Sequence, residues 1–242
     1  MSRTFTPFAN ANPSARSLVE NLPSLKDQVP QYREAMREIG SHLASAFFPK
    51  IASLKGRDVF VICTVEDADF LARGIIEKLE EELKNHESVR TRMMCIWNER
   101  VNHNGISSAP IVKAYEEEYN NEHPIFVVVK SIISGACVVK TNIARAISHS
   151  KPNQIFVVSP VMLEGAECRL KNEFPDSISD KFEFIHFATD TDKSLSGEEV
   201  VPGIGGSIYE LLGIGNAHSK NKYLPKIVRD RRKIYFPTLS AA

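Results

Sequence analysis

Short apolar segments of strand length alternate with longer segments of helical periodicity along most of this chain. Five apolar residues at 125–129 lead into a Ser/Gly loop and then into a helical pattern at 138–149. A buried parallel strand presents a loop at a helix N-terminus in this way. Further strand-like segments lie at 57–63, 89–97, 154–160 and 182–188. This alternation predicts an α/β fold with a doubly wound, mostly parallel sheet, in which ligands bind beyond the carboxyl ends of the strands.

The length of the chain favours one principal domain. Its 242 residues, 43% of them hydrophobic, are enough to bury a large core. We predict an irregular N-terminal arm at 1–29, a main domain at 30–216 and a basic C-terminal tail at 217–242. Within the main domain, the long polar stretch 98–124 is expected to be a functional or mobile insertion.

Composition argues against several classes of protein. The formal net charge is zero, so any surface that binds a polyanion has to be local. The four cysteines form no CxxC pair, and we interpret them as small core side chains in a reducing cytoplasm, with no metal site. Since neither a signal peptide nor an apolar run of membrane-spanning length is recognised, we expect a cytoplasmic protein without membrane contact.

The most specific sequence element is VVPGIGGSIYELLGIG at 200–215. Together with the helical segment REAMREIGSHLASA, the apolar strand into a Ser/Gly loop and VVSPVMLEGAE, it resembles the uracil phosphoribosyltransferases over roughly residues 30–215. Val201, Pro202, Gly203, Ile204 and Gly205 match that family's uracil-binding segment. The resemblance implies the type I phosphoribosyltransferase fold, a parallel sheet with a small hood, and a homo-oligomer.

The residues that would carry out the family's chemistry are replaced in four loops. The replacements are Lys130 for an aspartate, Gly135 and Ala136 for a Thr-Gly pair, TVEDADF for a Gly-rich loop with an arginine, Trp97, Asn98 and Glu99 for a Tyr-Arg-Asp run, and Gly206 and Tyr209 for two acids. A charge reversal facing pyrophosphate costs about 1–4 kcal/mol for each close pair at surface-like dielectric. No catalytic residue is therefore assigned.

Two functions remain open at this point. The first is a phosphoribosyltransferase-like protein that has lost phosphoribosyl transfer and acts as a binding, regulatory or assembly subunit. The alternative is a diverged phosphoribosyltransferase or nucleotide-processing enzyme with an altered substrate. No cofactor is expected, except Mg²⁺ if the alternative holds.

The candidate ligand-binding residues lie in two loops. They are Lys130, Ser131, Ser134, Gly135, Ala136, Val201, Pro202, Gly203, Ile204, Gly205 and Gly206. Lys130 could anchor an anion beside the amides of the following loop, or reach solvent from the strand end. The PGIGGS segment could hold a planar base through its backbone, or be only a structural turn.

Three acids, Glu66, Asp67 and Asp69, follow the first predicted strand. They could form a metal or acid/base cluster, but acids in a first helical turn also cap free amides and favour the helix dipole, which is the interpretation we prefer. Relative to the uracil phosphoribosyltransferases, the sign of the charge is reversed on both loops. We therefore predict that Lys130 pairs with Glu66, or failing that with Asp67 or Asp69, and partly closes the cleft.

The tail from Lys220 to Lys233 carries seven basic residues and one acid, Asp230. Basic residues interleaved with aromatics can bind nucleic acid or an acidic protein partner. More often such a tail is solvated or packs on a sister subunit, and we favour those two interpretations.

Overall fold

The computed structural model describes residues 2–52, 58–85, 89–103, 106–120, 122–197 and 199–236. The strands are β1 (Arg3–Phe5), β2 (Val59–Thr64), β3 (Thr91–Asn98), β4 (Val101–His103), β5 (Ile106–Ser108), β6 (Ile111–Glu116), β7 (Ile125–Val129), β8 (Ile132–Ile133), β9 (Gln154–Leu163), β10 (Phe182–Asp190), β11 (Asp192–Lys193) and β12 (Val200–Val201). The helices are α1 (Pro7–Asn10), α2 (Pro13–Asn21), α3 (Val29–Ala52), α4 (Val65–Asp67), α5 (Arg73–Glu82), α6 (Cys137–Ile147), α7 (Ala166–Lys171), α8 (Asp176–Ser179), α9 (Ile208–Leu211) and α10 (Lys226–Tyr235).

The strands form one large sheet and two small hairpins. Strand order in the large sheet is β1-β10-β9-β7-β2-β3-β6, and β8 also pairs with β9. The five central strands run parallel, whereas the edge strands β1 and β6 are antiparallel to their neighbours. This confirms the prediction of a mostly parallel α/β sheet.

Both faces of the sheet are covered, which explains why the central strands are continuous apolar runs. Along β2, Val59, Val61 and Cys63 belong to the core on the side of α3 and α5. The alternate side chains Phe60 and Ile62 belong to a second core with residues of α6. Every residue of β2 and β7 is buried, so the ends of these two strands are held rigidly at the same edge of the sheet.

Two predictions about the less apolar regions are corrected by the structure, and a third region proves to contain strands. Residues 3–25 are not irregular, because β1 pairs with β10 and α1, α2 and a short 3₁₀ turn follow. The polar stretch 98–124 contains the β4–β5 hairpin and the edge strand β6. In the basic tail, α10 packs on this chain itself, burying Ile227, Val228 and Arg231.

The expectation that the four cysteines are core side chains is met at two positions. Cys63 and Cys95 are buried as expected, but Cys137 is half-buried and Cys168 is exposed. Of the helices within the described ranges, none has both the length and the apolar character needed to cross a membrane.

Candidate ligand-binding cleft

The loops that follow β2 and β7 meet at a buried ion-pair cluster. The Nζ atom of Lys130 lies 3.0 Å from Oε1 of Glu66 and 2.9 Å from Oδ2 of Asp67. Neighbouring groups complete the cluster, since Thr64 Oγ1 donates to Asp67 Oδ2 at 2.7 Å and the Ser131 amide donates to Oδ1 at 3.1 Å. The predicted pairing of Lys130 with Glu66 is therefore present, and Asp67 shares the same ammonium group.

The cluster is buried more completely than the sequence suggests. The side chains of Lys130, Glu66 and Asp67 are 7%, 4% and 0% exposed. A lysine that reaches solvent from the strand end is thus ruled out, and the weak stabilisation of a half-exposed pair does not apply. Removing one member of a buried pair leaves an uncompensated charge, which costs several kcal/mol.

Burial and charge act against each other on the pKa values of this cluster. Burial lowers the pKa of Lys130, but the attraction of Asp67 and Glu66 outweighs it and raises the pKa above its ordinary value. Burial raises the pKa of Glu66, and the attraction of Lys130 and then Lys220 more than reverses this effect. The pKa of Asp67 is raised by burial and by the Glu66 carboxylate, and Lys130 offsets this only in part. One ammonium group is thus shared by two carboxylates.

A cavity of 680 Å³ opens above the cluster at the N-terminus of α6. Its walls include the predicted residues Lys130, Ser134, Gly135 and Ala136. The first amides of a helix have no partner within the helix and attract anions. The cavity volume lies in the range typical of small-molecule sites, about 300–1,000 Å³.

Cationic side chains dominate the rim of this cavity. Arg100, Lys140 and Arg169 line it together with Lys130, whereas Glu173 is its only acidic wall residue among those described, and it pairs with Lys140 at 2.5 Å. A second lobe of 210 Å³ shares Arg100, Lys130, Ile132 and Ser134 with the first, and Glu199 and Tyr209 also line it. The two lobes therefore form one cleft with a cationic rim.

The loop at 201–206 is a turn held in place by hydrogen bonds. Asp190 accepts two bonds from Arg3, both at 2.7 Å, and one from the Gly203 amide at 2.8 Å. Arg3 also donates to the Gly203 carbonyl, and Tyr32 Oη donates to that of Ile204 at 2.9 Å. Gly203 has φ +56, and a Cβ atom there would lie 2.2 Å from the Val200 carbonyl oxygen. Glycine is thus required at position 203 for the turn itself.

Within this loop the candidate residues differ in their access to the cleft. Ile204 and Gly206 line the smaller lobe, together with Val200. Gly205 instead approaches residue 23, since an added Cβ would lie 2.8 Å from the Pro23 Cα atom. The structural-turn interpretation is supported, and base binding by this loop stays a prediction.

Asp69 lies outside the ion-pair cluster and caps a distant helix. Its Oδ2 accepts from the Lys226 amide and its Oδ1 from the Ile227 amide, both at 2.7 Å, and it also accepts a hydrogen bond from Tyr223. These bonds fix the start of α10. The preferred interpretation is met only in part: Glu66 and Asp67 lie in a first helical turn but also bind Lys130, and Asp69 caps the amides of α10.

The C-terminal segment also contributes buried cations that the sequence did not single out. Lys220 is 3% exposed and donates to the Asn98 carbonyl. Arg231 is 7% exposed and bonds both carboxylate oxygens of Glu117, at 2.6 and 2.9 Å. Neither cation belongs to a solvated tail. Only their charge could have been read from the sequence, because Asn98 and Glu117 lie more than 100 residues away from Lys220 and Arg231.

The chain matches no protein-family model and no curated protein. Solved structures with a similar fold include a protein from Thermus thermophilus, with 13% identity, 76% of this chain and 99% of that chain covered, and a TM-score of 0.41. A hypoxanthine phosphoribosyltransferase from Staphylococcus aureus has 11% identity, covers 65% and 76%, and has a TM-score of 0.39. A purine phosphoribosyltransferase from Pyrococcus horikoshii has 9% identity, covers 60% and 80%, and has a TM-score of 0.37. The similarity concerns the fold and carries no argument about substrate or reaction.

Proposed function

We propose that this protein is phosphoribosyltransferase-like in fold, has lost phosphoribosyl transfer, and binds a phosphate-bearing small molecule as a binding or regulatory subunit. The observation that carries the proposal is the shared Lys130 ammonium group. It pairs with both Glu66 and Asp67, whose side chains are almost fully buried. These acids are therefore unavailable for proton transfer or for binding a substrate hydroxyl.

The open cavity supports binding of an anion. The rim cations surround the loop at 134–136 and the N-terminus of α6. Arg100 is exposed and has no hydrogen bond or ion pair to any residue in the described ranges, so its guanidinium group is available to a ligand. Guanidinium groups bind phosphate through two parallel hydrogen bonds.

A diverged transferase or nucleotide-processing enzyme is the second candidate. The observation in its favour is the size of the cavity, because a protein with no small-molecule ligand could have filled the cleft with side chains. A family-like reaction on uracil rests on the resemblance of residues 201–205 alone.

The loss of phosphoribosyl transfer predicts a negative assay. Purified protein incubated with uracil, phosphoribosyl pyrophosphate and Mg²⁺ is expected to form UMP no faster than the uncatalysed background. The physical reason is that acids stand where an arginine would neutralise the departing pyrophosphate, and that the carboxylates Glu66 and Asp67 are paired with Lys130. Mg²⁺-dependent turnover that a Lys130→Glu variant lacks would contradict the proposal and favour the second candidate.

The anion-binding part of the proposal predicts a thermal shift. Inorganic phosphate and a panel of sugar phosphates and nucleotides are expected to raise the melting temperature, since a ligand that binds only the folded state stabilises it. Arg100→Gln is expected to weaken the best ligand by about tenfold, the loss of one charge-assisted hydrogen bond. Arg229→Gln, an exposed residue of α10, is the matched control. If the two variants bound the ligand with equal affinity, Arg100 would not be a ligand-binding residue.

A further inference from the structure

A type I phosphoribosyltransferase fold raises the question whether this cleft holds a divalent cation. Mg²⁺ takes about six oxygen ligands in octahedral geometry at about 2.0–2.1 Å, of which a protein usually supplies one or two as free carboxylates. The only carboxylates of the ion-pair cluster are those of Glu66 and Asp67, and both contact Lys130. Across the described part of the chain, no group of three or more His, Cys, Asp or Glu side chains could hold a metal ion. The residues present therefore do not fit Mg²⁺.

The oxygen atoms of the cluster are nearly all in use. Oδ1 of Asp67 accepts from the Ser131 amide, and Oδ2 accepts from Thr64 and Lys130. Oε1 of Glu66 accepts from Lys130, which leaves Oε2 as a buried oxygen without a hydrogen-bond partner among the described residues. One free oxygen on a residue that is 3% exposed is not accessible to a hydrated Mg²⁺ ion.

A second buried cation lies near the cluster. The 3₁₀ turn Ser219–Lys222 contacts α4, and its Lys220 is 3% exposed and attracts Glu66. The Lys220 ammonium group donates to the Asn98 carbonyl, so the direct ion pairs of Glu66 and Asp67 are those with Lys130. A divalent cation added to this cluster would face two ammonium groups of like charge, and repulsion in a buried environment is only weakly screened.

We infer that Lys130 takes the place of a divalent cation in this cleft, so that the protein binds a phosphomonoester without Mg²⁺. The choice of a monoester rests on the proposed function; the exclusion of the metal rests only on the ion-pair cluster. A diphosphate that is recognised as its magnesium complex is usually bound with the help of one or two free carboxylates. A monoester needs only the rim cations and the amides at the start of α6.

Direct metal titration tests the exclusion without any ligand. The full-length protein is titrated with MnCl₂, a paramagnetic substitute for Mg²⁺, and free Mn²⁺ is followed by electron paramagnetic resonance. We expect no stoichiometric Mn²⁺ site that depends on Glu66. A saturable site in the wild-type protein that Glu66→Gln abolishes would overturn the inference.

The metal dependence of ligand binding is the second measurement. Ribose 5-phosphate and inorganic phosphate are titrated by calorimetry in EDTA and again in MgCl₂. The affinities measured in EDTA and in MgCl₂ are expected to agree within about twofold, because no metal bridges protein and ligand. An increase of tenfold or more in MgCl₂ would overturn the inference. If neither compound binds in either buffer, the proposed function fails, while the Mn²⁺ titration still decides the exclusion of the metal.

A variant tests the role of Lys130 itself. Lys130→Gln leaves two adjacent carboxylates without their shared cation, so we expect this variant to acquire Mn²⁺ binding and a melting temperature that rises with MnCl₂. Lys140→Gln, which removes a rim cation but leaves the cluster intact, is the matched control and is expected to show neither effect. A folded Lys130→Gln protein that binds no Mn²⁺ would overturn the assignment. If this variant does not fold, the two titrations of the wild-type protein decide whether the cleft excludes a divalent cation.

Discussion

Replacing Lys130 by methionine is expected to lower the free energy of unfolding by about 3–5 kcal/mol at neutral pH, the cost of leaving buried carboxylates without their cation. Methionine keeps most of the aliphatic volume, so the loss would come from charge rather than from a cavity. Both Glu66 and Asp67 would be affected, since one ammonium group serves them both. Urea denaturation monitored by circular dichroism measures the change.

The contribution of Glu66 to the pH dependence of stability should have the opposite sign in this variant to that in the wild type. In the wild type, burial raises the pKa of Glu66, but Lys130 lowers it below its ordinary value. The contribution of ionised Glu66 to the free energy of unfolding is therefore present at neutral pH and decreases as the pH falls through the lowered pKa. Without Lys130, burial would raise the pKa of both carboxyls. Protonation at lower pH would then remove the unpaired buried charges and so stabilise the variant. The difference in stability should therefore narrow from pH 7 to about pH 4.

Lys140→Met is the matched control for this experiment. Lys140 belongs to the same cleft, but its pair with Glu173 is about half exposed, with side-chain exposures of 48% and 39%. Such a pair contributes about 0–1 kcal/mol, so its loss should be small. Equal losses in the two variants, or a Lys130→Met loss that does not change with pH, would contradict the buried-cluster account.

The second large effect is expected for Arg231→Met, which should lower the free energy of unfolding by about 3–5 kcal/mol, again because a buried pair loses one member. Glu117 is 1% exposed and would keep only the bonds from Tyr115 Oη and the Met93 amide. Arg231 also reaches Glu80 and the Thr91 carbonyl, so α10 would lose its main polar attachment to the β3–β6 edge.

Arg232→Met is a control one residue away on the same helix. Arg232 is exposed, so its substitution is expected to change stability by no more than about 0.5 kcal/mol. Guanidinium denaturation with an unchanged m-value would assign the difference to the folded state. If both variants lost the same stability, the basic character of the tail rather than the Glu117 pair would be the cause.

The central strands could be predicted from the sequence because their burial leaves a local pattern. A strand covered on both faces has to be apolar at every position, and 125–129 coincides with β7 while 57–63 overlaps β2. Edge elements lack this pattern. β6 has exposed side chains at three of six positions, and β1 is only three residues long, so neither was recognised.

The pairing of Lys130 with Glu66 was predictable for a different reason. Parallel topology brings the carboxyl ends of neighbouring strands together, and β2 and β7 are direct neighbours. Opposite charges on their two loops are therefore close in space whatever the details of the loops. The participation of Asp67, and the almost complete burial of all three side chains, depend on the local path of the chain after Thr64.

By itself the sequence determined the α/β class, the positions of the buried strands and the charges that meet at their ends, because these follow from hydrophobic periodicity and strand connectivity. Only the tertiary structure decided that Asp69 caps α10, that Asp190 and Arg3 hold the turn at 201–206, and that Lys220 and Arg231 are buried. These contacts join residues 13 to 187 positions apart, and a hydrogen bond or ion pair at such separations has no local periodicity to reveal it.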